Sequence, residues 1–469
     1  MVIKNREELI SHGNQRGRET VLDIIEAGFK PPYIYENTRK MVRVSGSKLI
    51  VGHPDFSLPQ GQEPVAFDLS QINNIYIVGG GKSIQPIVKA LEDVLGDRIT
   101  EGHICIKKGD EVVVKRVGYT LAGHPSPDED SVTGARKILD IEKRAREGDI
   151  VFWCNSGGGT TLMALPAPGL TLKDLLEVNR LLYFDNGASM GETNALRFVM
   201  TNLRGKHEKH VHGATLIKID VDEQPLRGRT FGFSYSSMRA KYPNGYDRAI
   251  AVLEKYDCWD KVSESVRTFL KKRDPKYLHP TEEEIKQRPF YPFRVMGPEY
   301  MIEAARKKAI SMGLNTSVLV TSLNDIEVRP VAEAFAQIAR EAEVLGRPLE
   351  PPCVFILGGE LLVTVGKASG AGGRNQEFVV SAAERITGSK NIVIASADCD
   401  GTDGPTDTAG GIVDGYTMER ASKAGIDIAR ELNNHNSNYV MKTLGDTIDA
   451  KRGANVRDLK VIYVSNKID

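Results

Sequence analysis

The residues best suited to chemistry in this sequence gather at glycine-rich stretches. Gly79-Gly80-Gly81-Lys82-Ser83 follows the apolar run Asn74 to Val78, and Asn155-Ser156-Gly157-Gly158-Gly159-Thr160-Thr161 follows the apolar run Ile150 to Cys154. A glycine turn after a strand lets consecutive backbone N–H groups approach a ligand, and a following helix N-terminus favours negative charge. Both turns therefore suit a phosphate or carboxylate. Lys82 either puts a compact positive charge on such an anion or stands solvated at the turn. The GKS ending is not a Walker loop, which needs a glycine where Tyr76 stands, and GxGxxG fails at Ile84. His124, between a strand end and a proline-fixed turn, serves either a site or the local structure.

In the C-terminal half, Gly366 to Glu377 reads GKASGAGGRNQE and delivers Arg374, Asn375, Gln376 and Glu377 onto the start of a helix. The planar fork of arginine suits charge developing on a transferring phosphoryl group. Asp398, Asp400, Asp403, Asp407 and Asp414 follow the apolar run NIVIA. They could hold Mg2+ directly or through water, or cap turns around Gly401, Gly404 and Gly410.

The elements that must position these groups alternate between strands and helices. The spacing predicts a helix from Arg6 to Gly28, strands at Asn74 to Val78, Ile104 to Ile106 and Ile150 to Cys154, and helices at Ile84 to Leu95 and Ser131 to Arg146. Beyond a charged, proline-rich region from Asp222 to Arg294, helices at Tyr300 to Met312 and Val331 to Leu345 join strands at Ser317 to Thr321, Val354 to Leu357, Leu361 to Val365 and Ile392 to Ala395. The fold class is therefore α/β in two domains, with a Rossmann-like, mostly parallel sheet in residues 1–295 and a smaller α/β domain in 296–469.

Composition narrows the function. Lys plus Arg and Asp plus Glu both total 62, so no long-range field recruits nucleic acid or an anionic membrane. The five dispersed cysteines fit neither a disulfide framework nor a zinc site, and a reducing cytoplasm is expected. The polar N-terminus lacks a signal-peptide core, and no apolar run approaches the roughly 18 residues of a membrane span.

Taken in order, IYIVGGGKS (75–83), AGHPSPDE (122–129), SGGGTTLMALPAPGLTLKDLLEVNRLL (156–182), ETNALR (192–197), GGELLVTVGKASGAGGRNQEF (358–378) and DGTDGPTDTAGGIVD (400–414) resemble the motifs of the glycerate 2-kinases whose C-terminal half is called the MOFRL domain. The resemblance implies ATP, Mg2+ and a small hydroxy acid meeting in a cleft between two domains, with D-glycerate phosphorylated to 2-phosphoglycerate. It implies that Lys82 touches the transferring phosphate, Arg374 neutralises transition-state charge and Asp220, in KIDVDEQP, handles the substrate hydroxyl. Gly79 to Gly81, His124, Ser156 to Thr160, Asn194, Arg197, Glu360, Asn375, Gln376 and Asp403 are implied binding residues, with the metal ligands unassigned and a homodimer left open.

The chain departs from the family pattern where DVDEQP replaces DVPGDD, where Arg229 to Phe233 replaces an ASGPT-like stretch, and at Leu203 to His207. A related sugar acid is therefore an alternative acceptor. The Gly79 turn also admits a nicotinamide-dependent hydroxypyruvate reductase, and the altered acceptor segment admits a binding protein without turnover.

Overall fold

A computed structural model describes residues 2–29, 34–56, 63–221, 245–324, 326–366, 368–451 and 457–466. Within them the chain divides into two compact units, one joining 34–221 with 245–295 and the other joining 2–29 with 296–466. The departures from the family pattern at Asp222 to Pro225 and Arg229 to Phe233 lie outside the described residues.

The strands run β1 Val42–Ser45, β2 Lys48–Val51, β3 Val65–Asp68, β4 Ile75–Gly80, β5 Glu101–Lys107, β6 Gly118–Ala122, β7 Ile150–Asn155, β8 Thr215–Val221, β9 Phe290–Met296, β10 Asn315–Val320, β11 Cys353–Gly358, β12 Ile392–Asp398, β13 Gly410–Asp414, β14 Thr447–Ile448 and β15 Asp458–Val464. In the first unit β1, β2 and β3 form an antiparallel sheet, and a larger sheet has the order β6-β5-β4-β7-β8-β9. From β6 to β8 every pairing is parallel. Numbered along the chain this is the 3-2-1-4-5-6 order of the doubly wound dinucleotide-binding fold. Its central strands read as continuous apolar runs because both faces are covered; β4 and the first five residues of β7 are buried throughout.

Helices start where the sequence supplies caps. Asp128 and Ser131 form a capping box for Glu129–Arg144, Thr171 and Asp174 one for Leu172–Asn179, and Ser189 and Glu192 one for Met190–Met200.

The second unit carries a mixed sheet in the order β10-β11-β15-β12-β13-β14. Only β10 and β11 run parallel; the other pairings are antiparallel. The expected strand at Leu361 to Val365 is absent. Both edges of β11 are already occupied, by β10 and β15, so this segment makes only the bridge from Leu362 to Glu327, and Leu362 and Val365 are exposed. The seven-residue run DLKVIYV instead becomes β15, at the centre of the sheet.

Two expectations about the amino terminus also change. The helix predicted from Arg6 to Gly28 is broken into Arg6–Leu9 and Gln15–Phe29. Gly13 takes φ +61° between them, and Asn14 restarts the helix by accepting from the Gly17 N–H at 2.9 Å. This segment, expected within the 1–295 domain, belongs with the C-terminal half. The buried Arg18 guanidinium joins Asp414 and Asp446, each at 2.6 Å. Gly17 and Gly28 let the helix approach Val393 of β12 and Leu459 of β15 more closely than a side chain would allow.

Candidate active site

In an open parallel sheet, ligands bind beyond the carboxyl ends of the strands, where the strand order reverses. Here the reversal falls between β4 and β7, whose last residues, Gly80 and Asn155, are register partners. The two glycine turns leave from this point and interlock. The Lys82 N–H donates to the Gly157 carbonyl at 2.8 Å, and the Ser83 N–H to the buried Ser156 hydroxyl at 3.0 Å. Glycine at 158 suits the turn in two ways: φ is +86°, and a side chain would crowd Lys82 Cγ and His124 Nε2, each 3.1 Å away. Gly79, Gly80, Gly81, Lys82, His124 and Ser156 to Thr160 are thereby brought together at one strand edge, with Gly159 and Thr160 opening the short helix Gly159–Leu162.

The field there is positive. Burial, followed by the charges of Lys82, Lys107 and Arg197, brings the His124 imidazole down to about 4. Burial and the neighbouring Arg204 bring the Arg197 guanidinium down to about 10. Its hydrogen-bond partners are the neutral Asn194 and Asn179. Among the described residues, Lys82, Lys107 and Arg197 form no ion pair. Cations held without carboxylate partners among the described residues, at the mouth of two glycine turns, form a candidate anion site.

His124 is therefore neutral at pH 7. Because its folded-state value lies below the ordinary 6.5, its contribution to stability is complete above pH 6.5 and is lost as pH falls towards about 4. A bound anion offsets the surrounding cations, so adding phosphate is expected to raise the His124 midpoint and restore part of the lost stability. Imidazole NMR titrations with and without phosphate check this; an unchanged midpoint would exclude anion binding beside His124.

Asp220, the last residue but one of β8, stands beside Asn155, its register partner on β7. One carboxylate oxygen accepts from Asn155 Nδ2 at 2.7 Å and the other from Lys218 Nζ at 3.0 Å. Asp220 is buried, and each oxygen retains a lone pair for a further donor.

Arg374, Glu360, Asn375, Gln376 and Asp403 lie in the other unit. Arg374 opens the helix Arg374–Arg385 and forks onto Asp458 through Nε and an NH2 group, both at 2.8 Å. It also reaches Asp398 at 2.6 Å and Glu360 at 3.3 Å, and Glu360 pairs in turn with Arg457. These carboxylates, with burial opposing them, hold the Arg374 guanidinium well above its usual range. Asp403 is fully buried and caps the same helix. One oxygen accepts from the N–H and side-chain amide of Asn375, the other from those of Gln376, at 2.9 to 3.2 Å. The GGRNQEF and DGTDGPTD motifs thus complete each other.

The remaining aspartates divide among similar tasks. Asp400 accepts from Thr402, Asp407 pairs with Lys442, and Asp414 holds Arg18. Among the described residues no group of three or more His, Cys, Asp or Glu is arranged to hold a metal ion. The aspartates are engaged by protein donors, so they do not form a ready magnesium cage.

Similarity to known proteins decides the family. A glycerate 2-kinase of Pyrococcus horikoshii is 34% identical over 454 residues, covering 96% of this chain and 98% of its own. The chain belongs to the glycerate 2-kinase family. A D-glycerate 2-kinase of Thermotoga maritima is 32% identical, covering 83% of this chain and 90% of its own. A crystal structure of a Thermotoga maritima glycerate kinase superposes with a TM-score of 0.75 at 28% identity, covering 95% of this chain and 99% of that one. The domain of unknown function DUF4147 matches residues 34–271, and the MOFRL family matches residues 353–458. The glycine turns, the cation cluster and Asp220 fall in the first region; Arg374, its carboxylates and Asp403 fall in the second.

Three members of these clusters escape a reading by motif, Lys107, Lys218 and Asp458, and Asn155, which opens the second glycine turn, has a role that only its contact with Asp220 shows. Two carry a shared signal. Lys218-Ile219-Asp220 and Asp458-Leu459-Lys460 each put opposite charges two residues apart in an otherwise apolar strand, hence on one face. A charged pair on a buried strand face has to be satisfied internally. Among the described residues, no helix is long and apolar enough to cross a membrane.

Proposed function

We propose that the protein transfers the γ-phosphoryl group of ATP to the 2-hydroxyl of D-glycerate, releasing ADP and 2-phosphoglycerate. Family membership supports the reaction class, and the observation that carries the reading is the cluster of Lys82, Lys107 and Arg197, without ion pairs among the described residues, around His124 beside the Gly157 to Gly159 turn. Two anionic substrates require such a field, since phosphoryl transfer depends on in-line positioning and neutralisation of charge.

In this reading the Ser156 to Thr160 turn cradles an anionic group, the Gly79 to Gly81 turn gives it room and supports Lys82, and Asn194 and Arg197 stand at their side. Lys82 lies against the transferring phosphoryl group. Asp220 accepts or orients the proton of the acceptor hydroxyl. Arg374 meets the developing charge through the edge it shares with Glu360, the more exposed of its partners and the one it can release. Asn375, Gln376 and Asp403 hold Arg374 in place through the helix cap. Mg2+ belongs to the nucleotide substrate and travels on its phosphates, where it lowers their charge.

The test is ADP release from ATP and Mg2+ with D-glycerate, with the product read by phosphorus NMR beside erythronate and threonate. Formation of 2-phosphoglycerate is expected. Turnover of another acid alone would move specificity to the departed segment after Asp220, and silence with every acid would overturn the reading.

A further inference from the structure

Below the proposed acceptor site, a line of polar groups runs through the interior of the first unit. Lys218 and Asp220 share one face of β8 and pair at 3.0 Å, their side chains only 3% and 1% exposed. The Lys218 ammonium sits 4.9 Å from the ring centroid of Trp153, itself buried on the adjacent β7. The Trp153 ring stacks on His207 at 4.2 Å, and His207 Nδ1 meets Glu142 at 2.5 Å. Glu208 is buried nearby without a hydrogen bond to either carboxylate oxygen, and burial pushes its carboxyl up. Among the described residues, the charged or titratable groups around the pair include His207, Glu208 and Glu142, with Asn155 as the neutral partner.

This arrangement limits what Asp220 can do alone. A carboxyl group removed from water has to be met by donors or an opposite charge within the protein. Asn155 supplies one neutral donor. The other is Lys218, whose head rests on the Trp153 ring face, a cation–π contact that fixes its position. Motif reading does not predict this partner, since it stands two residues before the aspartate in an apolar strand.

We infer that Lys218, seated on Trp153, is a positioning residue that holds the Asp220 carboxyl group turned towards Asn155, so that its free lone pairs face the acceptor hydroxyl. The inference rests on the role proposed for Asp220.

The test is Lys218→Met, with kcat and KM for ATP and D-glycerate measured beside wild type. The kcat value is expected to fall about tenfold or more, with both KM values within about threefold of wild type. Lys218→Arg, which keeps a donor to Asp220, should recover part of the lost rate. An unchanged kcat, or a loss carried by the KM values instead, would overturn the inference. Should Lys218→Met fail to fold, Lys218→Gln carries the same expectation.

A readout independent of turnover separates the two ideas. The Asn155 side-chain amide protons, held by Asp220, should exchange slowly in wild type and quickly in Lys218→Met by NMR. Equal exchange in both would overturn the positioning role even in an active enzyme. If wild type transfers phosphate to no hydroxy acid, or if Asp220→Asn keeps full activity, the functional reading fails while the exchange rates still decide the positioning role.

Discussion

Lys82→Ala is expected to lower kcat for glycerate phosphorylation by about a hundred- to a thousand-fold, the usual consequence of removing one preorganised charge-stabilising group. The side chain leaves the tip of a glycine turn whose geometry is carried by backbone groups: the Lys82 N–H on Gly157 and the Ser83 N–H on Ser156. Alanine keeps those bonds, so thermal stability should change little. The loss should fall mainly on kcat, because a cation at the transferring phosphoryl group acts most strongly as charge develops. Lys82→Arg should recover only part of the rate, since a planar fork does not reproduce a compact ammonium beside His124 and Gly158. Steady-state kinetics with thermal melts check this, and full activity in Lys82→Ala would remove Lys82 from the mechanism.

Arg374→Met is expected to destabilise the C-terminal unit by about 3–5 kcal/mol, the range for breaking a buried ion pair and leaving its partners uncompensated. Arg374 lies between Asp458 and Asp398, both buried, so the variant leaves two carboxylates close together with Lys460 as the remaining internal cation beside Asp458. The loss depends on pH. Burial, then the neighbouring Asp458, already hold the Asp398 carboxyl well above 3.8 with the arginine present. An acid whose folded-state value exceeds its unfolded value binds more protons when folded, so its contribution to stability declines as pH rises above the unfolded value. Without Arg374 that decline steepens. Arg374→Met should therefore be less stable at pH 8 than at pH 5, with Asp398 taking up the proton that relieves the pair. Hydrogen exchange over β12 and β15 at the two pH values reports on this unit directly. Equal protection in variant and wild type would show that Arg374 is free to serve chemistry alone.

Much of the architecture was legible because it rests on local rules. Apolar runs ending in glycine mark β4 and β7 before the chain is folded, and the caps at Asp128, Thr171 and Ser189 are residues that satisfy helix N–H groups wherever they occur. The misreadings were of tertiary origin. Leu361 to Val365 has the composition of a strand, but β10 and β15 occupy both edges of its natural neighbour, β11. The amino-terminal helix has an apolar stripe like any other; its destination is decided by Arg18 finding Asp414 and Asp446 some four hundred residues away.

The same division holds for the candidate site. From the sequence alone came the glycine turns, Lys82, His124, the GGRNQEF and DGTDGPTD motifs and the family, because a turn that must admit a ligand restricts residue type over a few consecutive positions. The tertiary structure alone decided which charges are available. Lys107, at the end of β5, meets Lys82 beyond β4 because parallel strands bring their ends to one edge, and Arg197 reaches His124 from the helix Met190–Met200, whereas Asp403 is taken by a helix cap and Arg374 by carboxylates from β12 and β15. Pairing of charges depends on distances between segments remote in sequence, and a motif specifies a group without specifying its partner.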